Sequence, residues 1–262
     1  MTNFLLAAYG LWRREMVRFF RQRSRVIGAL GPPALFWGLI GSGLSTSFHM
    51  AGATAAGGTD ANYLQYFFPG TVLLIVLFTS IFSTISLIED RQAGFLQSVL
   101  VAPLAREGLV LGKIAGGTTL AVVQALAFLI FAPLVGFSLN LLGAGYLFFM
   151  LVLAAIGLTA MGFAMAWKLN SVQGFHAVMN LFLMPMWLLS GALFPASGAP
   201  LWLRVLMRLN PLSYALTAFQ QSLCINGVPL SVTGPSPTVC MVVLGGFAVA
   251  MIAASIRMVR RG

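Results

Sequence analysis

The sequence predicts an all-α polytopic membrane protein with six transmembrane helices, and three observations carry that prediction. The first is composition. Of 262 residues, 59% are hydrophobic and 8% charged, and the mean hydropathy is +0.94, which is more apolar surface than a water-soluble core requires. The second is a series of apolar runs long enough to cross a bilayer. The third is charge placement. Of the 15 lysines and arginines, all but Arg204 and Arg208 fall in four places between those runs. These are Arg13, Arg14, Arg18, Arg21, Arg23 and Arg25; then Arg91, Arg106 and Lys113; then Lys168; then Arg257, Arg260 and Arg261. Basic loops stay in the cytoplasm, and all four clusters share one side only if an even number of crossings separates each from the next. Six crossings with both termini inside satisfy this. The net charge of +10 is then a topology signal facing phospholipid headgroups. It is not a nucleic-acid surface, because the aromatic residues that could stack on bases lie inside the apolar runs.

The chain opens with an amphipathic helix at 4–22. Leu5, Tyr9, Trp12, Met16 and Phe19 recur at helical spacing, and Arg14, Arg18, Arg21 and Arg25 repeat on nearly the opposite face. This predicts a segment, 1–25, lying in the headgroup plane on the cytoplasmic surface with its apolar side down. The same stripe would also suit a soluble helix packed on a partner. Trp12, Arg13 and Arg14 inside the first apolar stretch, with no small-x-small site after it, argue against a cleavable leader.

One membrane domain, 26–262, follows. Its first span is expected at 26–46, with a distortion at Gly31-Pro32-Pro33. The stretch 47–62 is small, polar and free of Lys and Arg, so it is placed outside. Tyr63, Tyr66, Phe67 and Phe68 are interfacial aromatics announcing a second span at 66–88. Residues 89–106 form the most charged interior segment. The apolar middle of that segment, 94–102, is far shorter than the ~20 residues of a span, and Pro103 ends it, which predicts a short surface helix. Spans three, four and five fall at 109–135, 142–167 and 172–194. The connection 136–141 carries no basic residue whereas the turn 168–171 does, as alternating sides demand. The segment 195–223 holds Arg204, Arg208 and the break Asn210-Pro211. A seventh crossing there would send the last basic cluster outside. It is therefore a re-entrant hairpin of two half-helices, 200–208 and 212–223, before a final span at 238–258.

Candidate chemistry is sparse. Gly108-x-x-x-Gly112-Lys113-Ile114 departs from a phosphate-binding loop in glycine spacing, in lacking Ser or Thr after the lysine, and in having no preceding strand. Gly112 and Gly116, like Gly117, Ala121 and Ala125, instead suit close helix contact. His176 shares a stripe with Gln173 and Asn180, either as helix-to-helix glue or as a substrate or proton site. No second histidine or carboxylate lies within a turn, so metal ligation is not expected. Ser190-Gly191 follows Trp-Leu-Leu rather than a glycine elbow, which argues against a serine dyad with His176. Cys224 and Cys240 flank the last outside loop, and a disulfide and two free thiols both remain open. Glu89 and Asp90 adjoin Arg91 at a helix end, where local capping and ion pairing are expected. No carboxylate pair faces the membrane interior, which disfavours a proton-coupled carrier. A membrane-embedded enzyme or scaffold is the remaining alternative.

Taken in order, several motifs resemble the membrane subunits of type-2 ATP-binding-cassette exporters. They are the amphipathic N-terminal helix, Phe68-Pro69-Gly70, Glu89-Asp90-Arg91 with Gly94 after it, and the stretch from Ala102-Pro103-Leu104 to Gly112-Lys113. Leu189-Ser190-Gly191-Ala192-Leu193-Phe194-Pro195 and Asn210-Pro211-Leu212-Ser213-Tyr214 complete the set, and look most like the branch containing drug-resistance and nodulation-factor exporters. The resemblance implies a permease subunit with no catalytic residues, metal or cofactor of its own. It works with an ABC ATPase that holds ATP and magnesium and with a second permease copy, identical or different, in a bacterial plasma (inner) membrane. It makes 94–102 the coupling helix that fits a groove on the ATPase, with Glu89, Asp90, Arg91, Gly94, Phe95, Leu96, Val99 and Arg106 as coupling residues. Phe36, Trp37, Phe78, Phe82, His176, Asn180, Phe182 and Met186 are candidates for the substrate pathway, and Arg204, Arg208, Asn210 and Pro211 for an outer gate. The substrate would be an amphiphile of unspecified identity.

The charge pattern makes a direct prediction. In a cysteine-free background, Asp60→Cys and Ser231→Cys react with an impermeant maleimide in intact cells, whereas cysteines at Met1 and Gly262 do not. Labelling at either terminus instead would overturn the six-span topology.

Overall fold

The computed structural model describes residues 2–21, 23–44, 63–97, 106–138, 140–194, 199–225, 228–230 and 234–261. They are mostly helical. Helices α1 (Thr2–Arg21) and α2 (Arg23–Leu44) open the chain, and α3 (Tyr63–Ser83) continues past a turn at Thr84 into α4 (Ile85–Gln92). Then come α5 (Arg106–Leu129), which ends in a 3-10 turn at Pro133–Val135, α6 (Leu141–Lys168) and α7 (Val172–Leu188). Two short helices, α8 (Leu201–Leu209) and α9 (Pro211–Ser222), precede α10 (Pro237–Arg261).

Among the described residues, four helical stretches are long and apolar enough to cross a membrane: Tyr63–Gln92, Glu107–Val135, Leu141–Lys168 and Pro237–Arg261. The expected first and fifth spans fall on α2 and α7, which lie outside that set. The span expected at 172–194 ends early. At 17 residues, α7 stops at Leu188, whose successor Leu189 donates its N–H back to Pro185 O. Gly191 then takes a φ of +93°, a left-handed conformation that glycine adopts without a Cβ clash. The distortion expected at Gly31-Pro32-Pro33 does not interrupt α2, which is continuous through both prolines.

Hydrogen bonds fix which helix ends lie together. Gln65 Nε2 donates to Val135 O at 2.9 Å, Ser138 Oγ to Cys224 O at 3.3 Å, and Tyr146 OH to Pro237 O at 3.2 Å. One end of the bundle therefore gathers the starts of α3, α6 and α10 with the ends of α5 and α9. A very small antiparallel sheet caps that end. Its strands are β1 (Phe137–Ser138), β2 (Cys224–Ile225) and β3 (Val228–Pro229), with Phe137 opposite Ile225 and Ile225 opposite Val228. The all-α expectation missed it because two-residue strands are too short to show an alternating pattern.

At the opposite end Arg91 reaches the carbonyls that finish α6, Lys113 reaches Asp90, and Arg260 bonds Glu107. Basic residues far apart in sequence thus meet at one end. Between the ends, α3 is the hub. It packs on α2, α5 and α6, and residues 66–77 are buried throughout. Helix α6 packs along α10, and α9 wedges against α6, α10 and α3. Small residues permit these approaches. A Cβ on Gly117 would lie 2.6 Å from Thr159 Cγ2, and one on Gly157 2.5 Å from Phe247 Cδ1. The close contact expected of Gly112 and Gly116 is made with α1, where added Cβ atoms would meet Ala8 O at 2.8 Å and Glu15 Cβ at 3.0 Å.

Candidate functional site

Because Gly112 and Gly116 have no side chains, α1 lies directly on α5. Leu11 is buried there, and Trp12 Nε1 donates to Thr119 Oγ1 at 3.1 Å. This contact brings three charged side chains of α1 to the end of α4. Arg14 grips Asp90 with both terminal nitrogens, at 2.6 and 2.9 Å, and Arg18 bridges Asp90 at 3.2 Å and Glu89 at 2.6 Å. From α5, Lys113 Nζ donates to Asp90 Oδ2 and Glu15 Oε1, both at 2.6 Å, and to Ser86 Oγ at 3.0 Å. An ammonium has three N–H bonds, and here each has an acceptor. The side chains of Lys113, Asp90 and Glu15 are 4%, 3% and 8% exposed. Charges this deep persist only when paired and fully hydrogen-bonded.

This arrangement corrects one expectation. Glu89 and Asp90 do not pair locally with Arg91 but turn to α1 and α5. Arg91 points the other way, into the C-terminal end of α6, where it donates to Trp167 O at 2.7 Å, Leu169 O at 3.1 Å and Asn170 Oδ1 at 3.0 Å. Unpaired carbonyls and the negative end of the helix dipole attract a cation at that position. On α1, Arg14 and Arg18 face protein carboxylates, while Tyr9 and Phe20 are exposed.

Beyond α4 the chain turns at Gly94, with φ +75°, another left-handed position suited to glycine. Phe95 is half-buried with the Arg14 guanidinium 3.7 Å over its ring, and Leu96 is buried. The cation–π contact and the Asp90 bonds clamp Arg14 from two sides. Val99 and the rest of the segment 98–102 lie outside the described residues, as does the side chain of Arg106.

Next to this charged node is a cavity of about 650 Å³ between α1, α2, α3, α4 and α7. Glu15, Arg18 and Glu89 line its charged end, and Phe36, Phe78, Phe82 and Trp187 its apolar body. Of the expected pathway residues, Phe36, Phe78, Phe82 and His176 line it, with the His176 ring 4.9 Å from that of Phe82. The other four do not. Trp37 packs edge-on against Phe68 and Phe128 and donates to Leu64 O at 3.1 Å. Asn180 and Phe182 are exposed on α7, and Met186 is half-buried. Sequence reasoning passed over Glu15 and Lys113 as site residues. Two signals could have found them: a lone acid among six arginines, and a cation inside an apolar helix, which must find a partner.

At the other end, motifs that are separate in sequence come together. Trp187 Nε1 donates to Gly70 O at 2.9 Å, Tyr66 OH to Gly191 O at 2.7 Å, and Asn210 Nδ2 to Met186 O at 2.6 Å. Asn210 Oδ1 caps α9 by accepting from Leu212 N at 3.0 Å, with Pro211 at the first helical position. A Cβ on Gly70 would lie 2.8 Å from Ala192 Cβ. Arg204 Nη2 donates to Ala199 O at 3.1 Å, and Arg208 is exposed. Cys224 and Cys240 are both free thiols, and burial pushes the Cys224 thiol above its ordinary value.

An apolar helical bundle with this ordered set of motifs is a multi-pass membrane permease. Residues 7–224 match the family model described as ABC-2 type transporter, so the chain belongs to that family, as its motifs suggest. It is 28% identical over 215 residues to a putative transport permease, ycf38, of Cyanophora paradoxa, covering 81% of this chain and 72% of the relative. It is 25% identical over 253 residues to the inner membrane transport permease YadH of Escherichia coli (strain K12), covering 89% of each. It is 26% identical over 159 residues to the probable multidrug ABC transporter permease YbhR of the same strain, covering 59% of this chain and 42% of the relative. Membership of the family implies an ABC ATPase partner and a membrane.

The node carries a stability prediction. Lys113→Met leaves the buried Glu15 without its cation and removes one of three from Asp90, a change that costs about 3–5 kcal/mol. In detergent micelles its thermal unfolding midpoint falls sharply, and Asp90→Asn/Lys113→Met loses less than the sum of the single variants. Strictly additive losses would mean that Lys113 and Asp90 are not directly coupled.

Proposed function

We propose that the chain is the permease subunit of an ATP-driven exporter that moves an amphiphilic substrate, such as a drug, a lipid-linked molecule or a glycan-like molecule, out of the cytoplasm. A separate ATPase subunit holds ATP and magnesium and performs the hydrolysis, and a second permease copy, identical or different, completes the pathway. The protein sits in a bacterial inner membrane with both termini cytoplasmic. Residues 1–25 form the interfacial segment, 26–262 the six-span domain, and 195–223 a re-entrant hairpin. Helix α2 is the first span, and its 22 residues reach ~33 Å at ~1.5 Å each, enough for a hydrocarbon core. Helix α7 with residues 189–194 is the fifth.

The observation that carries this reading is the charged node above the turn at Gly94. Glu89 and Asp90 are bonded to α1 and α5, while Arg91 is bonded to the end of α6. A push on residues 94–102 therefore reaches three helices through charge-assisted hydrogen bonds, the strong kind. Closure of the ATPase subunits moves that segment, the helices tilt, and the cavity alternates between open states. Phe36, Phe78, Phe82 and His176 line the substrate's route. The Asn210-Pro211 tip, with Arg204 and Arg208 on the helix before it, closes its outer end. The multidrug name given to YbhR supports an amphiphile over a small ion.

Phe95 is the test residue, because it is half-buried and lies where no span needs it. With the ATPase co-expressed, Phe95→Asp abolishes transport while membrane insertion is retained, since one apolar anchor in a partner groove carries ~2 kcal/mol or more. Normal transport together with normal ATPase binding in this variant would refute the coupling role.

A further inference from the structure

Helix α8 turns outward an apolar face that no described part of the chain covers. Leu201 is 77% exposed, Trp202 65% and Leu209 76%, with Val205 and Leu206 also exposed. Residues 201, 205 and 209 are successive fourth positions, as are 202 and 206, so the five form one arc of the helix. Arg204 and Arg208, also four apart, flank that arc. Met207 lies on the far side and is buried, its Cε 3.2 Å from where a Cβ on Gly191 would stand. The helix thus has an apolar side, a cationic edge and a side packed on the protein.

Among the described residues, the cationic edge has no carboxylate partner. The carboxylates among the described residues are Glu15, Glu89, Asp90 and Glu107, and all bond at the opposite end of the bundle. Arg204 Nη2 has the Ala199 carbonyl, and Arg204 Nε has no acceptor among the described residues. Arg208 is exposed and Arg204 half-buried, and two such cations beside an apolar arc suit an anionic oxygen at the boundary between water and hydrocarbon. Water alone would leave five large apolar side chains exposed. A lipid headgroup region satisfies both sides of the helix.

We propose that α8 lies in the outer leaflet at the boundary of acyl chains and headgroups, and that Arg204 and Arg208 together hold the phosphate of an anionic phospholipid. Only the choice of leaflet rests on the membrane orientation proposed above. Guanidinium groups bind phosphate through paired N–H bonds, and two on one edge present a four-residue clasp. Trp202, an amphipathic aromatic, belongs at the same depth. The bound lipid would also hold the α8–α9 junction, where Asn210 grips the last turn of α7. Headgroup composition would then set how firmly the outer end of α7 is tethered.

The test uses the full chain in vesicles of phosphatidylcholine with and without phosphatidylglycerol, doped with lipids brominated either near the headgroup or near the chain end. The difference in tryptophan quenching between the wild type and Trp202→Phe isolates Trp202. Bromines near the headgroup quench it more strongly than those near the chain end. Phosphatidylglycerol raises the thermal midpoint, and this lipid dependence weakens about 25-fold in Arg204→Gln/Arg208→Gln, since each arginine near an anionic surface contributes roughly fivefold. Arg204→Lys/Arg208→Lys retains part of the dependence, which separates charge from misfolding. Protection of Trp202 from both bromines would mean that a second copy of the chain covers the face and would overturn the proposal. An unchanged lipid dependence in the glutamine variant would overturn it too. Loss of ATPase coupling with these signals intact would sink the permease reading alone.

Discussion

An ammonium buried away from water must find an acceptor for each of its N–H bonds, and Lys113 finds them on Glu15, Asp90 and Ser86. These acceptors belong to α1 and α4, so one side chain of α5 fixes three helices to one another. Asp90 then accepts from Arg14 and Arg18 as well, and Arg14 covers Phe95. With the cation removed, Glu15 would lose its partner and α5 its charged tie to α1 and α4, leaving Arg14 and Arg18 alone to hold Asp90. Arg91 faces away from the node to the end of α6, so the same short helix is anchored on both sides.

The contrast with α7 gives this rigidity a use. Its first turn is held through the 168–171 connection, where Gln92 Nε2 donates to Asn170 O at 3.0 Å. Its last turn is held by Trp187 on Gly70 and by Asn210 on Met186. Between those points Leu181, Phe182 and Met184 are exposed, and the cavity separates the helix from α2. A helix tied at its ends and loosely packed along its length can tilt as a body, the kind of motion by which packed helices switch between discrete arrangements.

Much of this was legible in the sequence, and for identifiable reasons. Helix positions followed from apolar length, the gathering of basic residues at one end from the charge rule, and the close approach at Gly112 and Gly116 from glycine spacing. What could not be read were pairings across the fold. Glu89 and Asp90 next to Arg91 suggest a local ion pair, and only the approach of α1 to α5 reveals that Arg14, Arg18 and Lys113 are their partners. The early end of α7 was hidden because Leu189 to Phe194 is almost as apolar as the helix before it. Gly191, where φ is positive, accepts a hydrogen bond from Tyr66, 125 residues away. Trp37 and Met186 were assigned to the pathway by residue type, yet helix rotation turns them toward Phe68 and toward the core. Rotation of that kind is set by packing and is invisible to composition.

The central claim is that the node passes movement of the segment after Gly94 to the helices around the cavity. Spin labels at Leu35→Cys on α2 and Leu181→Cys on α7, both exposed sites, report the separation of the cavity walls in the assembled complex with its ATPase. The account predicts that trapping nucleotide changes this distance when the node is intact and leaves it unchanged in Asp90→Asn/Arg91→Met. The same nucleotide-dependent change in that variant as in the wild type would contradict it.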